Sequence, residues 1–228
     1  CLDSWKKHLP SYEIILWDTK RFNIHEVPWV EQAFNTKKYA FAADYIRLYA
    51  LYHHGGIYLD SDVEILKSLD NFLELPYFVG AETSGTIEAA ILGAEKGCDW
   101  IKCCLDYYEG RNFIREDGSY DIRMLPEILN ETILRLKPVI NMPSGSNIDD
   151  LKKKDLGEAV YVLPKEYFSP KVFDSREVFL TPETHAIHHY QNSWFSHKAF
   201  AYYRTRTLFI KIFGYKAVRS LEKMLLKR

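Results

Sequence analysis

The chain has no apolar run of the roughly 18 residues that a bilayer-spanning helix needs, and no secretory leader pattern, so neither a spanning helix nor export is expected. It has little net charge: 30 Lys and Arg against 31 Asp and Glu leave −1, which argues against a general nucleic-acid binder. Cysteine is sparse. The four are Cys1, Cys98, Cys103 and Cys104, with no CxxC spacing, and the adjacent Cys103-Cys104 does not suit a disulfide framework. A reduced, cytoplasmic setting is therefore expected. No internal repeat and no low-complexity linker appears. The chain also opens without a methionine, at Cys1-Leu2-Asp3-Ser4-Trp5.

What is present is an ordinary globular composition, 47% hydrophobic and 27% charged over 228 residues, with many aromatics (16 Tyr) that read first as core. Short helices are expected at 2–9 and 29–36, and an almost wholly apolar helix at 39–54 ending on Gly55-Gly56. Further helices are expected at 87–108, 121–136 and 148–154. Strands are expected at Tyr12–Trp17, Ile57–Leu59, Tyr77–Gly80, Pro138–Ile140, Val160–Leu163 and Thr184–Tyr190. Alternation of strands with helices makes the class α/β.

The chemistry concentrates where Ile57-Tyr58-Leu59 runs into Asp60-Ser61-Asp62. Two carboxylates at the end of a buried strand are costly unless a cation compensates them. Residues i and i+2 of a strand point the same way. Their hard oxygens suit Mg²⁺ or Mn²⁺, with positions left open for a diphosphate. A bare Asp-x-Asp is common by chance; the preceding apolar strand and Gly-Gly turn are what favour a site. Asp44 and Arg47 share one face of the preceding helix, either as an ion pair pinning it or as a polar patch aimed at the same ligand. Downstream lies His185-Ala186-Ile187-His188-His189-Tyr190-Gln191-Asn192-Ser193-Trp194. On a strand His188 and His189 face opposite ways, so at most one joins a given site, and imidazole is an acceptable third ligand for Mn²⁺.

The run A-x-D-x-x-R followed by G-G-x-Y-x-D-x-D (Asp44, Arg47, Gly55, Gly56, Tyr58, Asp60, Asp62) resembles the DXD sugar-binding region of glycosyltransferases of the family 32 type. That group includes bacterial capsule and polysaccharide enzymes and yeast mannosyltransferases, and is related to the clostridial glucosylating toxins. The opening S-W-K-K-H-L-P-S-Y-E-I-I-L-W-D and the late A-I-H-H-Y-Q-N-S-W also resemble bacterial members. The resemblance implies a GT-A fold, a Rossmann-like nucleotide-sugar-binding sheet with flanking helices, over residues 1–195. It implies a divalent cation, Mn²⁺ or Mg²⁺, a UDP- or GDP-sugar donor, a saccharide or lipid-linked saccharide acceptor in polysaccharide synthesis, and retention of anomeric configuration. Carried over residue by residue, Asp60 and Asp62 bind metal, diphosphate and ribose. Asp44, Arg47 and Tyr58 serve the donor, with Arg47 stabilising the leaving diphosphate. His189, preferred over His188 for its spacing to Asn192 and Trp194, completes the metal shell. Asn192, Ser193 and Trp194 close over the diphosphate. Two features depart from the family pattern: the usual first strand, of the type I-P-K-I-I-H-x-x-W, is absent, and Met142–Asn147 replaces G-P-x-x-L-T. No nucleophilic carboxylate is assigned; Glu82 and Glu88 come closest and read more readily as solvated loop acids.

Residues 196–228 carry nine Lys and Arg against Glu222 alone, interleaved with aromatic and aliphatic residues. Such a basic amphipathic tail either packs on the acidic body or lies on the inner face of an anionic membrane. Two rival readings remain. Leu59-Asp60-Ser61-Asp62-Val63 also fits the nucleophile motif of haloacid-dehalogenase-type phosphatases, for which Lys137 and Asp149-Asp150 are poor partners. A non-catalytic sugar- or metal-binding module is the other.

Overall fold

The computed structural model describes residues 1–83, 85–173, 175–191, 197–214 and 217–218. In chain order the elements are α1 (Leu2–His8), α2 (Pro28–Asn35), α3 (Tyr39–His54), β1 (Gly56–Leu59), β2 (Val63–Ile65), β3 (Tyr77–Ala81), β4 (Ile87–Ala94), α4 (Asp99–Asp106), α5 (Leu125–Leu136), β5 (Val139–Asn141), α6 (Ile148–Lys152), β6 (Val160–Val162), β7 (Ala186–His188) and α7 (His197–Phe213). The class is mixed α/β.

The sheets are less parallel than strand–helix alternation suggests. β4 lies between β1 and β3, antiparallel to both. Leu163, just after β6, exchanges backbone hydrogen bonds with Val79 and Ala81, and β6 pairs in parallel with β5. The run is therefore β1-β4-β3-β6-β5. β2 and β7 form a separate antiparallel pair, with Val63 opposite His188 and Ile65 opposite Ala186.

Two apolar clusters meet at the central strands. One packs α2, α3, α4 and α5 around Trp29, Leu48, Trp100 and Leu129; the other packs α1, β2 and the 163–168 segment around Ile65, Phe72 and Phe168. α1 is tied to β2: Trp5 Nε1 donates to the Val63 carbonyl at 2.7 Å, and Ser4 Oγ accepts from the Ile65 amide at 2.9 Å. α3 ends as expected at Gly55, whose φ of 71° falls where only glycine is unstrained. At Gly93 a Cβ would meet the Phe78 ring at 2.0 Å, so the two strands approach closely only because the residue has no side chain.

Two expected elements are corrected. Tyr12–Trp17 is not a strand: no described strand lies beside it, and Ile14, Ile15 and Leu16 are exposed. Residues 87–108 are not one helix but β4, a tight turn and α4, because every residue from Ile87 to Ala94 is buried and the strand shows no alternation to read. In the tail, a helix covers His197–Phe213; residues 219–228 and Asn192, Ser193 and Trp194 lie outside the described residues.

Candidate active site

The site lies where β1 leaves the sheet. Asp60 N donates to the Ala90 carbonyl at 2.8 Å, the last bond of the ladder. The chain then turns, with Val63 N donating to the Asp60 carbonyl at 3.0 Å, and enters β2. The two aspartates therefore occupy a tight turn rather than consecutive same-face strand positions. They nevertheless converge: ligand atoms of Asp60, Asp62 and His188 lie within 4.8 Å of one another. The third member is His188, which corrects the preference for His189. Pairing of β2 with β7 places His188 opposite Val63 and sends its neighbour the other way. His189 Nε2 instead meets Glu64 Oε2 at 2.8 Å, and Lys171 Nζ lies 3.3 Å from its Nδ1.

Arg47 connects the helix to this turn. Its guanidinium is buried, with Nη2 2.9 Å from Asp44 Oδ1 and Nη1 3.4 Å from Asp60 Oδ1. Nη1 also donates to the Ala89 carbonyl at 2.8 Å. The Tyr58 ring lies 4.6 Å from the guanidinium carbon, and its hydroxyl donates to Asp60 Oδ1. The Asp44–Arg47 pair is an internal ion pair, and Arg47 also reaches Asp60. Burial raises the Asp44 carboxyl to about 6 despite the neighbouring Arg47. Arg47 Nε and the Tyr108 hydroxyl are buried without a hydrogen-bond partner among the described residues.

Asp62 Oδ2 accepts from the Gln191 amide at 2.8 Å and lies 3.6 Å from His188 Nε2. The other ring nitrogen, Nδ1, is 3.1 Å from Glu88 Oε2. Glu88 was expected to be a solvated loop acid; it lies inside β4 with a side chain only 4% exposed. Ser169 Oγ donates to Oε2, the Tyr190 hydroxyl donates to the same oxygen at 3.4 Å, and the Ala90 amide donates to Oε1 at 2.9 Å. Burial alone would raise the Glu88 carboxyl, but His188, Ser169 and the Ala90 amide hold it down at about 2. Burial likewise acts to lower His188, and the Glu88, Asp62 and Asp60 carboxylates outweigh it and raise the ring above its usual range. Sequence reasoning missed Ser169, and gave Tyr190 no role although it lies in the late His185–Trp194 stretch. The signal that was available is the lone acid in Ile87-Glu88-Ala89-Ala90-Ile91-Leu92, a charge too costly to bury without dedicated partners. Glu82 sits at the turn before β4, where its side chain accepts from Thr86 Oγ1.

Two carboxylates and an imidazole at this separation are a fitting donor set for Mg²⁺ or Mn²⁺. Residues 1–79 match the family described as glycosyltransferase sugar-binding region containing DXD motif. The matched segment contains Asp44, Arg47, Asp60 and Asp62. Among curated relatives, inositol phosphoceramide mannosyltransferase 3 of Schizosaccharomyces pombe is 34% identical over 92 residues, 39% of this chain and 26% of that protein. Mannosyl phosphorylinositol ceramide synthase SUR1 of Saccharomyces cerevisiae is 33% identical over 89 residues, 37% of this chain and 23% of that protein. The match thus spans about a quarter of the length of these relatives. A solved structure, PaToxG Glycosyltransferase, aligns with 52% of this chain and 44% of its own at 20% identity and a TM-score of 0.37, a likeness too loose to define the fold.

Proposed function

We propose that the chain is the GT-A-type catalytic domain of a metal-dependent, retaining glycosyltransferase that moves a hexose from a UDP- or GDP-sugar to a saccharide or lipid-linked acceptor. The observation that carries this reading is the convergence of Asp60, Asp62 and His188 beside the buried Asp44–Arg47 pair. Asp60, Asp62 and His188 would hold Mg²⁺ or Mn²⁺, which supplies positive charge to a departing diphosphate.

The remaining work falls to the chain's own groups. Asp44, Asp60 and the Ala89 carbonyl fix the Arg47 guanidinium, so it meets a ligand without reorganising. Its free Nε–H suits a donor hydroxyl or phosphate oxygen, and Asp44 suits a sugar hydroxyl. Tyr58 stacks on Arg47 and holds Asp60 Oδ1, which orients the other oxygen of that carboxylate. The same engagement leaves Asp60 poorly placed as a phosphatase nucleophile. Asn192, Ser193 and Trp194 are proposed to close over the diphosphate. Of the two fungal relatives, one is named an inositol phosphoceramide mannosyltransferase and the other a mannosyl phosphorylinositol ceramide synthase. Their names make a mannosyl donor and a phosphoinositol lipid the first pair to try, ahead of a capsule acceptor.

The test is nucleotide-sugar hydrolysis with Mn²⁺. Slow release of UDP or GDP, lost in Asp62→Asn, supports the enzyme. Nucleotide-sugar binding without turnover supports a binding module instead, and phosphate release from p-nitrophenyl phosphate supports the phosphatase.

A further inference from the structure

His188 has two ring nitrogens and two different neighbours. Nε2 faces Asp62, and Nδ1 faces Glu88 on the opposite edge of the ring. Glu88 cannot itself join the aspartates, because the imidazole stands between them and both of its oxygens already accept hydrogen bonds. A buried carboxylate with this many dedicated donors is expensive to assemble, and the chain assembles it from three separate elements: β4, the 168–169 segment and the residues after β7.

Tyr190 shows the same investment. It is a non-glycine residue at a φ of 52°, a conformation that costs free energy and persists only where the surroundings hold it. Arg176 Nη1 donates to its carbonyl at 2.8 Å, its hydroxyl reaches Glu88, and its ring lies against His188 with centroids 4.0 Å apart. The ring of His188 is therefore clamped on one face by an aromatic and on one edge by a carboxylate.

We propose that Glu88 is a positioning residue: held by Ser169, Tyr190 and the Ala90 amide, it accepts from His188 Nδ1–H and so presents the Nε2 lone pair to the cation. This rests on the reading above that Asp60, Asp62 and His188 hold a divalent cation. The physical reason is tautomer selection. A neutral imidazole ligates through its unprotonated nitrogen, and a carboxylate accepting from the other nitrogen fixes which one that is and makes the ligand more basic.

The first experiment uses the full wild-type chain without metal: histidine-labelled NMR at alkaline pH, reading the tautomer of His188. The expected form carries its proton on Nδ1; a ring protonated on Nε2 overturns the proposal. The second titrates Mn²⁺ alone into wild type and Glu88→Gln. An outer carboxylate of this kind is worth about 10–100-fold in metal affinity, so a loss of that size is expected in the folded variant. A folded Glu88→Gln with unchanged Mn²⁺ affinity overturns the proposal while leaving the cation site standing, and wild type that binds no Mn²⁺ overturns both. Should Glu88→Gln fail to fold, Ser169→Ala removes one donor to the same carboxylate, and a smaller loss of affinity is expected. Unchanged affinity there overturns the proposal. A merely structural Glu88 would lower the melting temperature of Glu88→Gln and leave its Mn²⁺ affinity unmoved.

Discussion

Replacing Arg47 by methionine keeps most of the side-chain volume and deletes the charge. Arg47 is 6% exposed and its guanidinium faces two carboxylates, so the variant leaves Asp44 and Asp60 without their cation. Removing one partner of a buried pair costs about 3–5 kcal/mol. Asp44 softens the loss: burial already holds its carboxyl at about 6, so it takes up a proton readily once Arg47 is gone. The low end, about 3 kcal/mol, is therefore expected, and for a chain of this size that lowers the melting temperature by roughly 6–12 °C. The assay is urea and thermal unfolding of the full chain in chelator at neutral pH. A double-mutant cycle with Asp44→Asn should give a coupling of about 0.5–3 kcal/mol, as for other groups in direct contact. A cost for Arg47→Met below about 1 kcal/mol, or no coupling, would refute the placement of Arg47 between the carboxylates.

Two further outcomes follow. The raised Asp44 carboxyl contributes stability that is fully present below its ordinary value of 3.8 and lost as pH rises through about 6, because the folded state holds the proton more tightly there. Metal-free wild type should therefore lose stability relative to Asp44→Asn across that window, by at most about 3 kcal/mol, and parallel pH profiles would contradict it. In the tail, Tyr202, Leu208, Phe209, Ile212 and Phe213 are exposed on α7 in a segment rich in Lys and Arg. On the reading that this tail lies on an anionic membrane rather than on the acidic body, deleting 196–228 abolishes flotation with anionic vesicles, and equal flotation of the two forms sinks that reading. Among the described residues no helix is long and apolar enough to cross a membrane.

The first stretch of the site was legible because several local signals agree there. The apolar helix α3 has a clear end at Gly55, β1 is short and apolar, and the two aspartates are too costly to follow a buried strand without purpose. What was not legible depended on pairing. The choice between His188 and His189 turns on the register of β7 against β2, which is set by residues more than a hundred positions apart. The helical reading of Ile87–Ala94 failed for a related reason. A strand buried on both faces has no alternation, and its alanines suit a helix equally well. That misreading left Glu88 looking like a solvated acid, since an acid on a helix or loop raises no question and an acid in a central strand does. Tyr12–Trp17 failed in the opposite sense: its residues favour a strand, but none of the described strands pairs with it.

The account's central claim is tested most directly by calorimetric titration of UDP- and GDP-sugars into the full chain with Mn²⁺, for wild type and Asp62→Asn. The expected result is that at least one nucleotide sugar binds wild type only when Mn²⁺ is present, and that Asp62→Asn loses this binding while remaining folded. Binding that is indifferent to Mn²⁺ and to Asp62, or no binding of any nucleotide sugar by the folded wild-type chain, would contradict it.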